Sequence, residues 1–416
     1  VPLPRVIPAL ADLTQDIAGP LPVELLQSWA AGSQSPTDAE RLLDGYRIEG
    51  TVVASDTSGL SRLTEERDLL DVLSLVSAPK QVVHALGVEV GGRPIGVWIA
   101  DNTEMYYPSS VSAPLVVDAM AEAQARIASD LPIRIGLCVH RGAFYEVGGG
   151  LYGGDAEAVE FLAEDFAGPG EILVTQAVAD VLASAGTGTT ALSPRTDLKD
   201  VYPPGVFTVT APRRMPDLRG TNTAYPHPYP AEFFALLGGL RQAESADLVR
   251  QRIYDTYLRE QTVVFVSRVH ERESTHTLQT LLDEFVSNAL VETIVKVEMQ
   301  AGEHVAGLGS GLAILTFDTP ASALDFAQAV RSEFAKNGVP VKLGIDCGPV
   351  LLFANRTGPS GLAGDPVNTA SKLSEDTGAE GKIRITSRAA SQMTLPAGAE
   401  PFDITVSRIR LDGFAI

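Results

Sequence analysis

A chain of 416 residues, 45% of them hydrophobic, holds enough apolar material for two domains and their connectors. Its formal net charge of −20 argues against a nucleic-acid surface or an anionic membrane as partner. The acidic residues are spread along the chain, a pattern that favours solubility rather than one charged patch.

Residues 1–46 read as a helical lead-in, with Ser35-Pro36-Thr37-Asp38 as a helix start. Strand 50–55 is rich in β-branched residues, and 69–86 has apolar residues at helical spacing. Strands are expected at 88–90, 95–100, 104–107, 133–139, 171–175 and 206–210, and helices at 114–128, 156–166 and 177–182. This mixed order predicts an α+β sandwich, one sheet with helices on its faces. Residues 213–258 form a connector whose Tyr225-Pro226-His227-Pro228-Tyr229-Pro230 forces extended backbone, followed by a helical stretch over 231–257. Cys138 and Cys347 lie in strand-like apolar runs and read as buried thiols in a reducing compartment. No run of about 18 apolar residues is seen, so no membrane span is expected. Val1-Pro2-Leu3-Pro4-Arg5 lacks the apolar core of a signal peptide, and the expected location is cytoplasmic.

The chain repeats itself. Gly170-Glu171-Ile172-Leu173-Val174-Thr175 recurs as Gly381-Lys382-Ile383-Arg384-Ile385-Thr386, Arg134-Ile135-Gly136-Leu137 as Lys342-Leu343-Gly344-Ile345, Gly154-Asp155 as Gly364-Asp365, and Thr51-Val52-Val53 as Thr262-Val263-Val264. A constant offset of about 210 residues marks a duplicated domain. The expected division is 1–46 lead-in, 47–212 first domain, 213–258 connector and 259–416 second domain. The second copy stops at Ile416, where the first continues to Pro212, so its last hairpin is expected to be missing or shortened.

Three constellations can carry chemistry. Asp56 ends a buried strand and precedes Thr57-Ser58-Gly59, a turn suited to a divalent metal at a phosphate site, or to a plain helix N-cap. Asp101 lies at a hairpin tip, as a second metal carboxylate or a turn aspartate. Asn368 and Lys372, four apart on a helix, share one face, which can touch ribose and polyphosphate or can simply be solvated.

Both repeats resemble the class III nucleotidyl cyclase homology domain. The resemblance rests on Val52 to Leu60 and Leu198-Lys199-Asp200-Val201 in the first copy. In the second it rests on Leu343-Gly344-Ile345-Asp346-Cys347-Gly348-Pro349-Val350, on 364–373 and on 381–387. It implies a ferredoxin-like-derived α/β sandwich in two copies, paired head to tail within one chain as a pseudoheterodimer; a domain-exchanged dimer is the alternative to a monomer. It implies that a nucleoside triphosphate and two divalent cations, Mg2+ or Mn2+, bind at one composite site. Asp56 and Asp101 match the metal ligands, with Thr57 adding its backbone carbonyl and Thr57, Ser58 and Gly59 lining the phosphates; Arg134 matches a phosphate-contacting arginine. Asn368 matches the transition-state asparagine, and Lys372 stands where an arginine is usual. The counterparts are degenerate: Ser267 and Ser310 at the metal positions, Ala158 and Leu162 at the asparagine and arginine positions. The base-selecting positions fall on Ala306 and Gly361, and the closing-motif lysine of the second copy falls on Asp412. The implied reaction is cyclisation to a 3′,5′-cyclic nucleotide, with ATP first and GTP or a pyrimidine nucleotide open. The other reading is a catalytically inactive module that binds a nucleotide or protein partner, under an unknown regulator.

Overall fold

Thr51 to Ser55 are buried without interruption, and this β-branched run makes β1 (Arg47–Thr57) the central strand of a mixed sheet. The structure is a computed structural model that describes residues 22–57, 67–98, 102–185, 191–199, 201, 203–241, 246–269, 304–309, 312–353, 361–377, 379–406 and 409–416, with isolated positions between 278 and 298. It divides into two units. Leu43–Pro228 form the first, and Tyr229–Ile416 with the described residues before Leu43 form the second. The connector is thus split at Pro228, and the lead-in groups with the second unit rather than standing apart.

In the first unit β2 (Arg93–Pro94), β3 (Thr103–Pro108), β4 (Ile135–Val147), β5 (Gly150–Tyr152), β6 (Ile172–Thr175), β7 (Ala191–Pro194) and β8 (Val206–Ala211) join β1 in the order β2-β3-β1-β4-β6-β8-β7, with β5 paired to β4. Among the described strands only β4 and β6 run parallel. Val52, Ala54, Cys138 and Leu173 pack against Ala156, Val159 and Leu162 of one helix, here α5 (Gly154–Asp165). The lead-in helices α1 (Val23–Ala31) and α2 (Pro36–Leu43) precede the sheet, and α3 (Leu69–Glu89), α4 (Ala113–Asp130) and α6 (Gln176–Ser184) complete the set up to the connector. α3 lies on the other face, where Gly87 leaves just enough room for Met105 and Tyr107.

Several expected elements differ. The stretch 88–90 is not a strand, because α3 runs to Glu89 and closes through Val90 and the left-handed Gly91. Ile95 to Trp98 carry no strand either: the Trp98 indole donates to the carbonyls of Ile95 and Glu104, and its backbone N–H to Pro226. α3 is long and apolar enough to cross a membrane by length and composition, which the sequence reading had not expected; its Val72, Val76, Val83 and Leu86 are buried in the unit instead.

The second unit repeats the topology. Its strands β9 (Leu258–Arg268), β10 (His304–Gly309), β11 (Leu312–Phe317), β12 (Val341–Phe353), β13 (Gly361–Ala363), β14 (Ile383–Thr386), β15 (Glu400–Val406) and β16 (Ile409–Ala415) follow the order β10-β11-β9-β12-β14-β16-β15, with β13 on β12. The closing hairpin, expected to be missing or shortened, is present as β15 and β16, paired from Glu400–Ala415 to Val406–Ile409. What is lost is the excursion between β7 and β8, which holds the 3-10 turn Thr196–Leu198 in the first unit. Asp412, expected at the closing-motif lysine, is an exposed residue of β16 opposite Asp403. The expected single helix over 231–257 is two, α7 (Ala231–Gly239) and α8 (Ala246–Tyr257). Phe233 and Tyr257 from them, with Tyr229, enclose the buried Phe353 at the end of β12. α9 (Pro320–Lys336), α10 (Asp365–Ser374) and α11 (Ser387–Ala390) complete the unit.

The ladders also revise the repeat. Ile172 and Ile383 lie 211 residues apart, yet their partners Leu137 and Leu343 lie 206 apart. Asp56 pairs with Gly136 and Ser267 with Lys342, which gives the same two offsets. The sequence match of Arg134 with Lys342 is thus slipped by two residues; Gly136 stands opposite Lys342 in the alignment, and His140 matches Asp346. The slip arose because the short pattern Ile/Leu-Gly-Leu/Ile recurs at both registers. The difference is made up in one hairpin, where β4 turns to β5 through Gly148 and Gly149, both at positive φ, while 354–360 between β12 and β13 lie outside the described residues.

Candidate functional site

In the first unit the site is built at the ends of β1 and β3. The Ser55 and Thr103 hydroxyls, both buried, meet at 2.6 Å and tie the two strand ends together. One residue further come half-buried Asp56 on β1 and exposed Asn102 beside β3. Alternation puts Asp56 on the face of Val52 and Ala54, the α5 face. Asn102 donates to Glu164 of α5 at 2.8 Å. Thr57 is buried, and its Oγ1 has no partner among the described residues. Ser58, Gly59, Asp101 and Ser310 lie outside the described residues, as does the side chain of Ala306. Gly361 opens β13 and pairs with Phe353.

A carboxylate that the sequence reading passed over shares this face. Glu104 pairs with Ala54, and its buried Oε1 has no hydrogen-bond partner among the described residues. Burial first, then the charge of Glu160, holds Glu104 well above the usual carboxylate range, with Arg93 opposing. Desolvation, with Glu164 and Glu157, brings Glu160 of α5 up to about 7. Alternation gave no signal for it: with Met105 and Tyr107 turned toward Gly87, Glu104 falls on the opposite face and reads as outward.

The fit to divalent ions rests on a short donor set. Among the described residues no group of three or more His, Cys, Asp or Glu side chains can hold a metal. The donors that fit are the Asp56 carboxylate at a strand end and the chain at Thr57 beside an unmatched buried hydroxyl, hard oxygen donors of the kind Mg2+ or Mn2+ takes. Arg134 is engaged elsewhere: Nη1 donates to the carbonyls of Leu131 at 2.7 Å and Ile133 at 2.8 Å, and Nη2 to Ala128 at 3.0 Å, which caps the C-terminus of α4.

In the second unit Ser267, the register counterpart of Asp56, is buried with its hydroxyl 2.6 Å from that of Ser374. On α10 Asn368 is exposed and Lys372, on the same face, is mostly buried, its Nζ 3.8 Å from the Asp376 carboxylate. The counterparts of these two residues must be corrected. α5 and α10 start after Gly153 and Gly364, both at positive φ with ψ 167. Counting from these caps, Asn368 matches Glu157 and Lys372 matches Phe161, all outside the core, whereas Ala158 and Leu162 are buried and match Thr369 and Leu373. The doubled glycine Gly153-Gly154 allowed the one-residue error.

A buried polar network fixes the start of each helix. In the first unit His140 Nδ1 lies 2.8 Å from the Thr175 hydroxyl, and its Nε2 3.4 Å from Asp155. In the second, Thr386 donates to the fully buried Asp346 at 2.5 Å, and Arg388 bridges Asp346 and Asp365, the first residue of α10. Asn368, less than one turn further on, inherits its position from this bridge.

No protein-family profile matches the chain, and no curated protein matches it. Among solved structures, a class III adenylyl cyclase-like ATP-binding protein from Pseudomonas aeruginosa is similar over 83% of this chain and 85% of its own, at 12% identity and TM-score 0.46. The guanylate cyclase domain of a Catenaria anguillulae protein, solved with GTP, covers 38% of this chain and 96% of its own, at 19% identity and TM-score 0.30. The adenylyl cyclase CyaB from P. aeruginosa covers 39% of this chain and 94% of its own, at 16% identity and TM-score 0.32. All three matches lie below 20% identity and below a TM-score of 0.5.

Proposed function

We propose that the chain is a class III-type nucleotidyl cyclase with one working composite site, completed by Asn368 and Lys372 of the second unit against Asp56 and Asp101 of the first. The observation that supports this reading is the division of residue types between matched positions: Asp56 against Ser267, and Asn368 with Lys372 against Glu157 with Phe161. The second combination offers no metal carboxylate from β9 and no cation from α5. In the reaction the ribose 3′-oxygen attacks the α-phosphorus, its proton leaves to solvent, and the bond to pyrophosphate breaks. Divalent ions held by Asp56 and Asp101 supply charge neutralisation at the phosphates when bound. Asn368 orients the ribose, and Lys372 offsets charge developing on the phosphoryl oxygens as a point charge without the planar fork of arginine. ATP is the first candidate; Ala306 and Gly361 leave GTP and pyrimidine nucleotides open. The two units pair within one chain, as a monomer in the cytoplasm.

A second reading is nucleotide binding without turnover. It is favoured by the engagement of Arg134 with the end of α4 and by Lys372 in place of an arginine. One assay separates the two: purified protein with Mn2+ and each of ATP, GTP, CTP and UTP, with Asp56→Ala as control. A cyclic product lost in the control establishes the cyclase and its base. No product from any of the four, with metal-dependent binding retained, establishes the second reading.

A further inference from the structure

Leu173 and Arg384 stand at the same place in the two sheets. Each is the second residue of a short strand running parallel to its neighbour, β6 or β14, and each faces the helix that follows the positive-φ glycine. In the first unit the place is ordinary core: Leu173 is fully buried with Leu162, Ala163, Leu198 and Val206. In the second unit Leu373 and Ser374 keep the helix side of this cover, and the rest of it is gone. The turn that carries Leu198 has no counterpart, because β15 and β16 run straight through that region, and Gly413 takes the register place of Val206.

The arginine at this place is poorly matched. Its Nε and Nη1 are buried and have no hydrogen-bond partner among the described residues. Its Cζ lies 5.4 Å from the centre of the Phe402 ring, a contact that holds the guanidinium plane without using its donors. Desolvation lowers its pKa, and no carboxylate among the described residues offsets that. The residue as a whole stays partly exposed. A desolvated cation with unused donors is costly to keep unless an anion pairs with it, and a guanidinium suits the oxygens of a phosphate group.

We propose that Arg384 is the centre of an oxyanion site in the second unit that takes a phosphate or polyphosphate group, either free or carried on a nucleotide. The site needs no metal, and the inference does not rest on the cyclase reading.

The test is calorimetric titration of the full chain in EDTA with inorganic phosphate, pyrophosphate and ATP, against NaCl at matched ionic strength. Saturable binding is expected, weakened at least tenfold in Arg384→Leu and less in Arg384→Lys. Pyrophosphate binding as tightly as ATP identifies the free group as ligand; ATP binding more than tenfold tighter identifies the nucleotide's phosphate chain. Absence of saturable binding of all three anions, or equal binding by Arg384→Leu, overturns the proposal. Should Arg384→Leu fail to fold, Arg384→Gln, which keeps polarity and removes charge, serves the same comparison.

Discussion

Asn368 and Glu157 occupy the same position in their helices, four residues after a glycine held at positive φ, and both are exposed. An amide there can orient a ribose hydroxyl; a carboxylate there repels phosphate. On the one-site reading Asn368→Ala lowers kcat by about 10²–10³ with a small change in KM, the usual cost of removing one transition-state donor. Glu157→Ala leaves both constants within about twofold of the parent, and steady-state product formation by the two variants checks this. Equal losses in both would mean that the two helices serve equivalent sites.

Arg134 divides a capping role from a substrate role. Its donors meet four carbonyls, of Ile127, Ala128, Leu131 and Ile133, at and just beyond the end of α4. Arg134→Met therefore loses charge-assisted hydrogen bonds at a helix C-terminus, an expected destabilisation of about 1–3 kcal/mol. KM for the nucleoside triphosphate should shift by less than about threefold. Denaturant unfolding and a substrate titration on one preparation measure both, and a large KM effect with unchanged stability would return Arg134 to the phosphates.

Much of this organisation was legible before any coordinates. The duplication, the mixed α+β order, strand β1 with Asp56 at its end, and the shared face of Asn368 and Lys372 all follow from local composition and period. The errors came where local pattern underdetermines register. Ile135-Gly136-Leu137 and Leu343-Gly344-Ile345 look alike, but only the ladder partners Ile172 and Ile383 show that Leu137 matches Leu343. Glu104 and Arg384 escaped notice for a related reason: what singles them out is burial without a partner, and that depends on residues distant in sequence.

Asp346 is a fully buried carboxylate whose charge partner is Arg388. Arg388→Ala leaves it desolvated and held by Thr386 alone, and breaking a buried pair in this way costs about 3–5 kcal/mol. Asp346→Asn combined with Arg388→Met should recover part of that loss, since no unpaired charge remains. Because Arg388 also holds Asp365 at the start of α10, the single variant should reduce kcat along with stability. Chemical denaturation of the four chains of a double-mutant cycle measures the coupling.

Glu160 gives the stability a pH dependence of defined sign. Its folded value is raised to about 7 from 4.5, so the folded state holds the proton more tightly than the unfolded chain. Its contribution is most favourable below about 4.5, falls as pH rises from there to about 7, and is flat above. Raised Glu104 acts in the same direction. Glu160→Gln should flatten that part of the profile. The difference in unfolding free energy between parent and variant at pH 5 and pH 8 isolates the effect from the overall charge, and an unchanged slope would place Glu160 at an ordinary value.

Tyr225 fastens the connector to the first unit through Trp98. The two rings stack at 5.7 Å with 19° between planes, the Trp98 N–H donates to Pro226 at 2.7 Å, and the Lys80 ammonium lies over Tyr225 while donating to the Trp98 carbonyl. Upstream, Gln81 donates to Thr223, and Glu89 accepts from the backbone of Arg219 and Gly220. Tyr225→Ala deletes a buried ring from this strap, an expected loss of about 3 kcal/mol, and lets water reach the indole. The chain holds two tryptophans, so a red shift in emission that is absent when Trp98→Phe is added belongs to Trp98. Limited proteolysis should then cut within 213–228 at least tenfold faster than in the parent. Parent-like emission and cleavage would show that the hydrogen bonds to α3 hold the strap without the stack.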